Sequence, residues 1–398
     1  MIPLPKRVLT MNKGSATLKS ALYEATTQEK LLLSIAVDQA GGSAGRLKIA
    51  DSSDHHLLDS PVNSAESGAT LETMFTWLNQ AGFLSGLGAV GHRLVHGGPR
   101  YREPQVINRE FLSEVEKLVS LDPDHMPAAI QGIKFIAKKF PELPQVACFD
   151  TAFHSSLPKV ARLYALPRGL RELGIVRYGF HGLSYEYIMR ELHALGEKLV
   201  NGRIIIAHLG SGAGMVAIKA GKSIDTSMGF TPVEGLVMST RSGDVDPGAL
   251  LYLLGYKNIS VKEMTTLLNK QSGLLGVSET SADMRTLLET MSQDERAAAA
   301  VDLFCYRAKK YIGAYAAVLG GLDVLVFAGG IGENAPAVRK QICDGLDFLG
   351  IRLDQSSNEA DAGVISPSES GVRVRVIKTN EDLMIVRHVV STLGWAKS

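Results

Sequence analysis

Two arginines, a histidine and an aspartate stand in settings that suit the handling of a small anion. In Gly91-His92-Arg93-Leu94-Val95-His96-Gly97-Gly98, strand alternation puts Arg93 and Val95 on one face and His92 and His96 on the other. A guanidinium beside an apolar wall suits a small carboxylate with a short alkyl tail, and an edge-strand arginine with a surface partner explains the same residues equally well. Arg241, in Ser239-Thr240-Arg241-Ser242-Gly243-Asp244, is a second cation among small polar residues, where Asp244 offers a structural ion pair. Only the company of Arg93 favours chemistry there. His181 follows Arg177-Tyr178-Gly179-Phe180 and precedes Gly182, and a lone histidine is more often structural than catalytic. Asp150 ends the strand pattern Val146–Phe149, and ligands of α/β sheets gather beyond such ends. A solvated strand-end carboxylate is the plainer alternative.

Two further stretches each run from a short apolar strand through a polar, glycine-containing turn into a second apolar strand. They are Val8–Lys19, with the turn Asn12-Lys13-Gly14-Ser15-Ala16-Thr17, and Ile204–Met215, with His208-Leu209-Gly210-Ser211-Gly212. Such turns expose backbone N–H groups and small hydroxyls, which suit a phosphate, and their missing side chains allow close approach. Their separation by half a chain predicts two related lobes around one polyphosphate. A third candidate is the strand Val324–Phe327 running into Gly329-Gly330-Ile331-Gly332 and then a helix over 335–346.

The elements that must position these residues are those of an α/β protein. Gly, Ser and Asp between short apolar runs from Leu31 to Leu58 predict strands joined by surface turns, with His55 and His56 solvated. Leu71, Met74, Phe75 and Leu78 recur at helical spacing. A long Ala-rich helix is predicted from Asp294 to Leu319, and a strand over 372–377 leads through Asn380, a fitting N-cap, into a helix from Glu381. A length of 398 residues predicts two domains. A net charge of +1, from 42 basic and 41 acidic residues, gives no field to hold nucleic acid or an anionic membrane. Cys148, Cys305 and Cys343 lack metal-ligand or CxxC spacing and fit buried thiols of a reducing compartment. No apolar run approaches the roughly 20 residues of a membrane span, and the first residues lack a signal-peptide core, which predicts a cytoplasmic protein.

Taken together, the blocks Arg93–Gly98, Phe149–His154, Arg177–Gly182, His208–Gly212, 231–248, Gly329–Asn334 and 379–384 resemble the acetate kinase and short-chain carboxylate kinase family, from Val8 to about Arg387. The resemblance implies a duplicated ribonuclease H-like fold, that of actin-like ATPases and the acetate and sugar kinases, with two lobes and an interlobe cleft. It implies an N-terminal lobe of residues 1–152 plus 383–398 and a C-terminal lobe of 153–382. By the same resemblance Asn12, Ser15, Thr17 and Lys19 face phosphates and metal, and His208, Leu209, Gly210, Ser211 and Gly212 hold the β- and γ-phosphates. Asp283, Met284 and Arg285, with Gly330, Ile331, Gly332, Glu333 and Asn334, match the adenosine pocket. Arg93, Val95, His125, Phe180 and Pro232 match the acceptor site, and Asn12 and Glu381 the Mg²⁺ site, where Mn²⁺ is the alternative ion. The implied partners are ATP or ADP, a carboxylate, and a second copy of the chain.

The implied reaction is direct in-line transfer between ATP and a carboxylate, acetate before propionate. A carboxylate is already ionised at neutral pH, so no general base is needed. Arg93 would orient it, Arg241 and His181 would neutralise charge on the moving phosphoryl group, and Asp150 would position metal, Arg93 or acceptor. Four residues depart from the family pattern: Lys13 and Ala16 in the first turn, Ser211 in the second, and Tyr185. A fifth, Asp124, stands before His125 where the family has leucine, and either turns away to cap the helix that begins at Pro127, the expected outcome, or reads an acceptor more polar than acetate. Two other functions share the fold: a kinase for a hydroxyl acceptor, with Asp150 as general base, and a weakened ATP-binding protein.

Overall fold

The computed structural model describes residues 6–13, 17–25, 29–38, 44–63, 67–196 and 200–395. The chain divides into two compact units, Met1–Ala152 with Asn380–Ser398, and Phe153–Thr379. The C-terminal return to the first unit therefore begins at Asn380, ahead of the expected residue 383.

In the first unit, alternating apolar residues make the strands β1 (Lys6–Lys13), β2 (Thr17–Ala25), β3 (Glu29–Asp38), β4 (Ala44–Asp51), β5 (His56–Asn63), β6 (Leu87–Leu94), β7 (Gln105–Val106) and β8 (Gln145–Phe149). They form one sheet in the order β5-β4-β3-β2-β1-β6-β8-β7. Successive hairpins make β1 to β5 antiparallel, whereas β6 runs parallel to both β1 and β8. Leu9, Met11, Leu18, Leu22, Ile35 and Val37 share one core with Leu71, Met74, Phe75 and Leu78 of the helix Ser67–Gln80, whose spacing had predicted that face. Thr10, between Leu9 and Met11, must point to the opposite face. There its hydroxyl meets Asp382 at 2.6 Å, at the start of the helix Glu381–Thr392. A Cβ at Gly91 of β6 would overlap Ile385 of that helix, so only glycine lets the two backbones come this close.

The second unit carries β9 (Arg203–Leu209), β10 (Ala213–Lys219), β11 (Lys222–Thr226), β12 (Val324–Ala328) and β13 (Arg373–Val376) in the order β11-β10-β9-β12-β13. β9, β10 and β11 are antiparallel neighbours, and β12 runs parallel to β9 and β13. The run β3-β2-β1-β6-β8 of the first unit has the same order and the same sequence of antiparallel and parallel pairings. This repeat is the duplicated ribonuclease H-like fold. Every residue of β12 is buried, as the continuous apolar run Val324–Phe327 requires. The helix Glu295–Leu319 starts on the capping side chain of Asp294.

Some elements differ from expectation. β6 ends at Leu94, so Val95 and His96 lie beyond the strand. Gly329–Asn334 is a short helix rather than an open turn. The next helix, Pro336–Cys343, stops before Leu346, and Gly345 follows with a φ of 72° that ends the helical path. Gly14, Ser15 and Ala16 lie outside the described residues. No helix among the described residues is long and apolar enough to cross a membrane. All three cysteines are buried, and burial pushes the thiols of Cys305 and Cys343 up to about 12, as inert core thiols.

Each unit also buries a neutral histidine. His92 Nε2 lies 2.7 Å from Gln145 Oε1. His154 Nε2 donates to the Phe180 carbonyl at 2.9 Å, and Ser223 Oγ lies 3.0 Å from its Nδ1. Burial lowers both side chains to about 4, against weaker opposition from these hydrogen bonds. Between pH 4 and the ordinary histidine value of about 6.5, the unfolded chain binds more protons than the folded one, so stability rises with pH. The contribution, on the order of 3 kcal/mol for each histidine, is fully present above about pH 6.5 and is lost as pH falls toward 4. Calorimetric unfolding temperatures should drop across this window, and the double variant His92→Gln, His154→Gln should show a shallower dependence.

Candidate active site

At the ends of the parallel strands in the first unit, Arg93 is held from two sides. Its Nε lies 3.1 Å from each Asp150 oxygen, its Nη2 lies 2.6 Å from Oδ2, and its Nη1 donates to Asn12 Oδ1 at 3.1 Å. Asn12 Nδ2 in turn donates to Glu381 Oε2 at 2.9 Å. The parallel register brings this about: Arg93 pairs with Cys148 and Leu94 with Phe149, so Asp150 emerges beside Arg93. Asp150 is fully buried and the Arg93 side chain only 12% exposed. Burial alone would weaken proton binding by the guanidinium, but Asp150, Glu381 and Asp122 together raise its pKa above the ordinary value. The cation is therefore permanent. Asp382 has the reverse balance: burial raises its pKa, and the hydrogen bond from Thr10 opposes the shift.

Asn12 and Lys19 are cross-strand partners on β1 and β2, with Lys19 exposed. Val95 is buried in this unit. His125 is buried as well, with Nδ1 donating to Asp122 at 2.8 Å. The N-cap position expected of Asp124 falls one residue later. The N-cap is His125, its backbone N–H donates to Asp122 Oδ1 at 3.2 Å, and Asp124 is exposed to solvent. Asp122 thus does the turn-closing that was assigned to its neighbour.

The second unit gathers the other expected residues. His181 is the N-cap of the helix Gly182–Leu195 and has a φ of 59°, in the left-handed region. Its ring lies against that of His208, with centroids 4.3 Å apart. A Cβ at Gly212 would stand 3.4 Å from His181 Nε2 and 3.9 Å from Arg241 Nη1, so the imidazole and the guanidinium both border this glycine. Arg241 Nη1 donates to the carbonyl of Pro232 at 3.4 Å. Asp244 accepts from Gly235 N at 2.8 Å and from the Tyr311 hydroxyl at 2.7 Å, which anchors the loop after Arg241. Phe180 and Pro232 are buried in this unit, and Val95 in the first.

A cavity of about 480 Å³ opens beside the second glycine turn. Of the expected nucleotide residues, Gly210, Ser211, Asp283, Met284, Arg285, Gly330, Ile331 and Asn334 line it. Gly332 and Glu333 do not. Gly332 packs on Phe327, while Glu333 Oε1 accepts from Gly329 N at 2.9 Å and Thr379 N at 3.1 Å. Gly329 has a φ of 74°, and a Cβ there would stand 2.7 Å from the carbonyl of Leu209. Only glycine lets this wall turn against β9. Asp283 caps its own helix, accepting from Thr286 N at 3.0 Å.

Ser239, Leu288 and Glu289 also line the cavity without having been expected. Glu289 follows Arg285 at i+4 on the helix Met284–Thr290, a spacing that could have placed both on one face. Arg339 was missed too. It is fully buried, donating to the carbonyls of Gly332 and Glu333 at 3.0 Å each, to both oxygens of Asn358, and to Asp361 at 2.6 Å. It braces the short helix Gly329–Asn334 from behind.

A permanent cation at the parallel strand ends of one unit, and a glycine turn beside a cavity in the other, on the repeated fold, fit a phosphotransferase of the acetate and sugar kinase class. Residues 7–387 match the acetokinase family, to which the chain belongs. It is 44% identical to the acetate kinase of Rhodopseudomonas palustris (strain ATCC BAA-98 / CGA009) over 389 residues, covering 96% of this chain and 97% of that one. Among solved structures, it is similar to the acetate kinase of Porphyromonas gingivalis, with 39% identity, a TM-score of 0.87, and 98% and 100% of the two chains covered. It is likewise similar to a propionate kinase of Francisella tularensis, with 36% identity, a TM-score of 0.90, and 96% and 98% covered.

The bracing by Arg339 can be tested through stability. Arg339→Leu takes the donor from three backbone carbonyls and from the Asn358 side-chain oxygen, and should cost at least about 2 kcal/mol in denaturant unfolding. An unchanged midpoint would contradict the bracing.

Proposed function

We propose that the protein transfers a phosphoryl group reversibly between ATP and a short-chain carboxylate, acetate first, to give an acyl phosphate and ADP. The observation that carries this reading is the Arg93 cation clamped by Asp150 and Asn12. Asp150 has both oxygens turned to Arg93, which suits an arginine-positioning role and leaves a hydroxyl-activating base poorly served. A carboxylate acceptor needs no such base. Arg93 orients the acceptor carboxylate, and His181 and Arg241 neutralise charge as the phosphoryl group moves. The cavity beside Gly210 and Gly330 takes the nucleoside, and the His208–Gly212 turn takes the β- and γ-phosphates. The resemblance gives Lys19, with Asn12, Ser15 and Thr17, a phosphate-facing role as well.

Mg²⁺ belongs to this reading, with Mn²⁺ as the alternative. Asn12 and Glu381 offer hard oxygen donors, and among the described residues no group of three His, Cys, Asp or Glu side chains could enclose an ion. This sparse set fits an ion that keeps water and phosphate oxygens as its other ligands. When bound, it would neutralise charge on the phosphates. A homodimer is also part of the proposal, supported by the resemblance and by exposed Leu251, Tyr252 and Tyr256 on one helix. A cytoplasmic location is consistent with ATP and ADP as co-substrates. Propionate is the second acceptor to consider, because of the match to a propionate kinase structure.

Hydroxylamine trapping across a carboxylate panel, with ATP and Mg²⁺, should yield the hydroxamate of acetate, and the yield should vanish in excess chelator. ADP release driven by sugars without hydroxamate would favour a hydroxyl acceptor instead. Arg93→Ala and Arg241→Ala each remove a transition-state contact, and at least one should lower kcat by about 100-fold or more. Near-normal turnover in both would overturn the roles given to them.

A further inference from the structure

Ser184 and Thr379 are two hydroxyl residues outside every expected site, and they stand in series behind His208. Ser184, fully buried in the first turn of the helix Gly182–Leu195, has Oγ 2.8 Å from His208 Nδ1. Thr379, just beyond β13, has Oγ1 2.8 Å from Ser184 Oγ. The backbone of Thr379 is fixed in turn, because its N–H donates to the same Glu333 oxygen that accepts from Gly329 N. The chain of contacts therefore starts at the short helix whose Gly330, Ile331 and Asn334 line the nucleotide cavity, and it ends on an imidazole of the phosphate strand.

We infer that Ser184 and Thr379 are positioning residues that fix His208 as the neutral Nε2–H tautomer, with that N–H directed to the Gly210 turn. Proton counting gives the direction. Each hydroxyl has one proton to donate. Thr379 donates to Ser184 Oγ, Ser184 passes its own proton toward His208 Nδ1, and Nδ1 must then accept. The ring hydrogen is left on Nε2. Nε2 would lie 4.0 Å from a Cβ built at Gly210, and the Gly330 N–H would lie 3.8 Å from the same point. The Gly212 carbonyl is nearest to that point, at 3.4 Å, and the two N–H groups, one from a side chain and one from the backbone, are the donors beside this glycine to which an anion could bind.

The same unit shows this logic where it is forced. His154 Nε2 meets a carbonyl, which can only accept, so the ring proton is on Nε2 and the Ser223 hydroxyl serves Nδ1. His208 repeats the serine-to-Nδ1 arrangement, and its Nε2 faces the Gly210 turn. A doubly protonated His208 would turn Nδ1 into a donor, so that Ser184 Oγ would accept from both Thr379 and the ring and its own proton would have to leave this series. A neutral donor holds its hydrogen bond without the pH dependence of an imidazolium.

That the N–H serves a phosphate rests on the function proposed above, whereas the tautomer does not, so the two can fail separately. The test is ¹⁵N–¹H correlation spectroscopy of ¹⁵N-histidine-labelled protein at pH 7, with the His208 signals assigned by their loss in His208→Gln. The expected result is a protonated Nε2 and an unprotonated Nδ1 in the ligand-free enzyme. Thr379→Val and Ser184→Ala should each give a mixture of tautomers, and Thr379→Ser should restore the single form. In parallel, the KM for ATP should rise up to about tenfold in Thr379→Val, as expected for one lost hydrogen bond, with a smaller change in kcat. A wild-type His208 that is protonated on Nδ1, or on both nitrogens, would overturn the inference. So would a tautomer unchanged in both hydroxyl deletions.

Discussion

Parallel pairing at the centre of each sheet places the C-terminal ends of neighbouring strands side by side, and the candidate chemistry is mounted on those ends. β1, β6 and β8 deliver Asn12, Arg93 and Asp150 within one hydrogen-bonded group. β9 and β12 deliver His208 and the Gly329–Asn334 wall in the same way. An antiparallel partner, β2 or β10, lies on the other side of the first strand in each unit. The two halves are thus solutions to one geometric problem, furnished with different residues. A guanidinium fills the first and imidazoles with bare backbone fill the second.

Several placements show the same side chain serving structure and site together. Asp150 compensates the buried charge of Arg93 and sets its orientation. A buried cation without such a partner would be costly, so removing the aspartate cannot leave the arginine as it was. Glu333 was expected in a nucleotide pocket, but its carboxylate closes two backbone N–H groups that would otherwise be stranded. Asp122 likewise serves both a helix start and the ring of His125.

Much of this was legible in the residues. The apolar spacing of Leu71, Met74, Phe75 and Leu78, the strand Val324–Phe327, and the caps at Asp294 and Asn380 all carry local signals, because one element's own hydrogen bonds or one face decide them. Arg93 and Asp150 could be singled out separately, but their pairing depends on a register between strands separated by half a domain, which no local pattern encodes. Asp124 and Asp122 show the limit from the other side. Both precede a proline-containing helix start, and only the path of the backbone decides that Asp122 turns inward. Arg339 was illegible for a related reason: its surroundings are carbonyls brought in from Gly332, Glu333 and Asn358, and a carbonyl has no signature in the residue that bears it.

His181 adopts a backbone conformation that an L-residue other than glycine enters at a cost of roughly 1–2 kcal/mol. It is followed by Gly182, and glycine at position 181 itself would relieve that cost at once. The ring bordering Gly212 would be gone with it. Backbone ease and the role proposed for the imidazole therefore make opposite demands at this one position. A gain in stability at position 181 is bought with the loss of the ring.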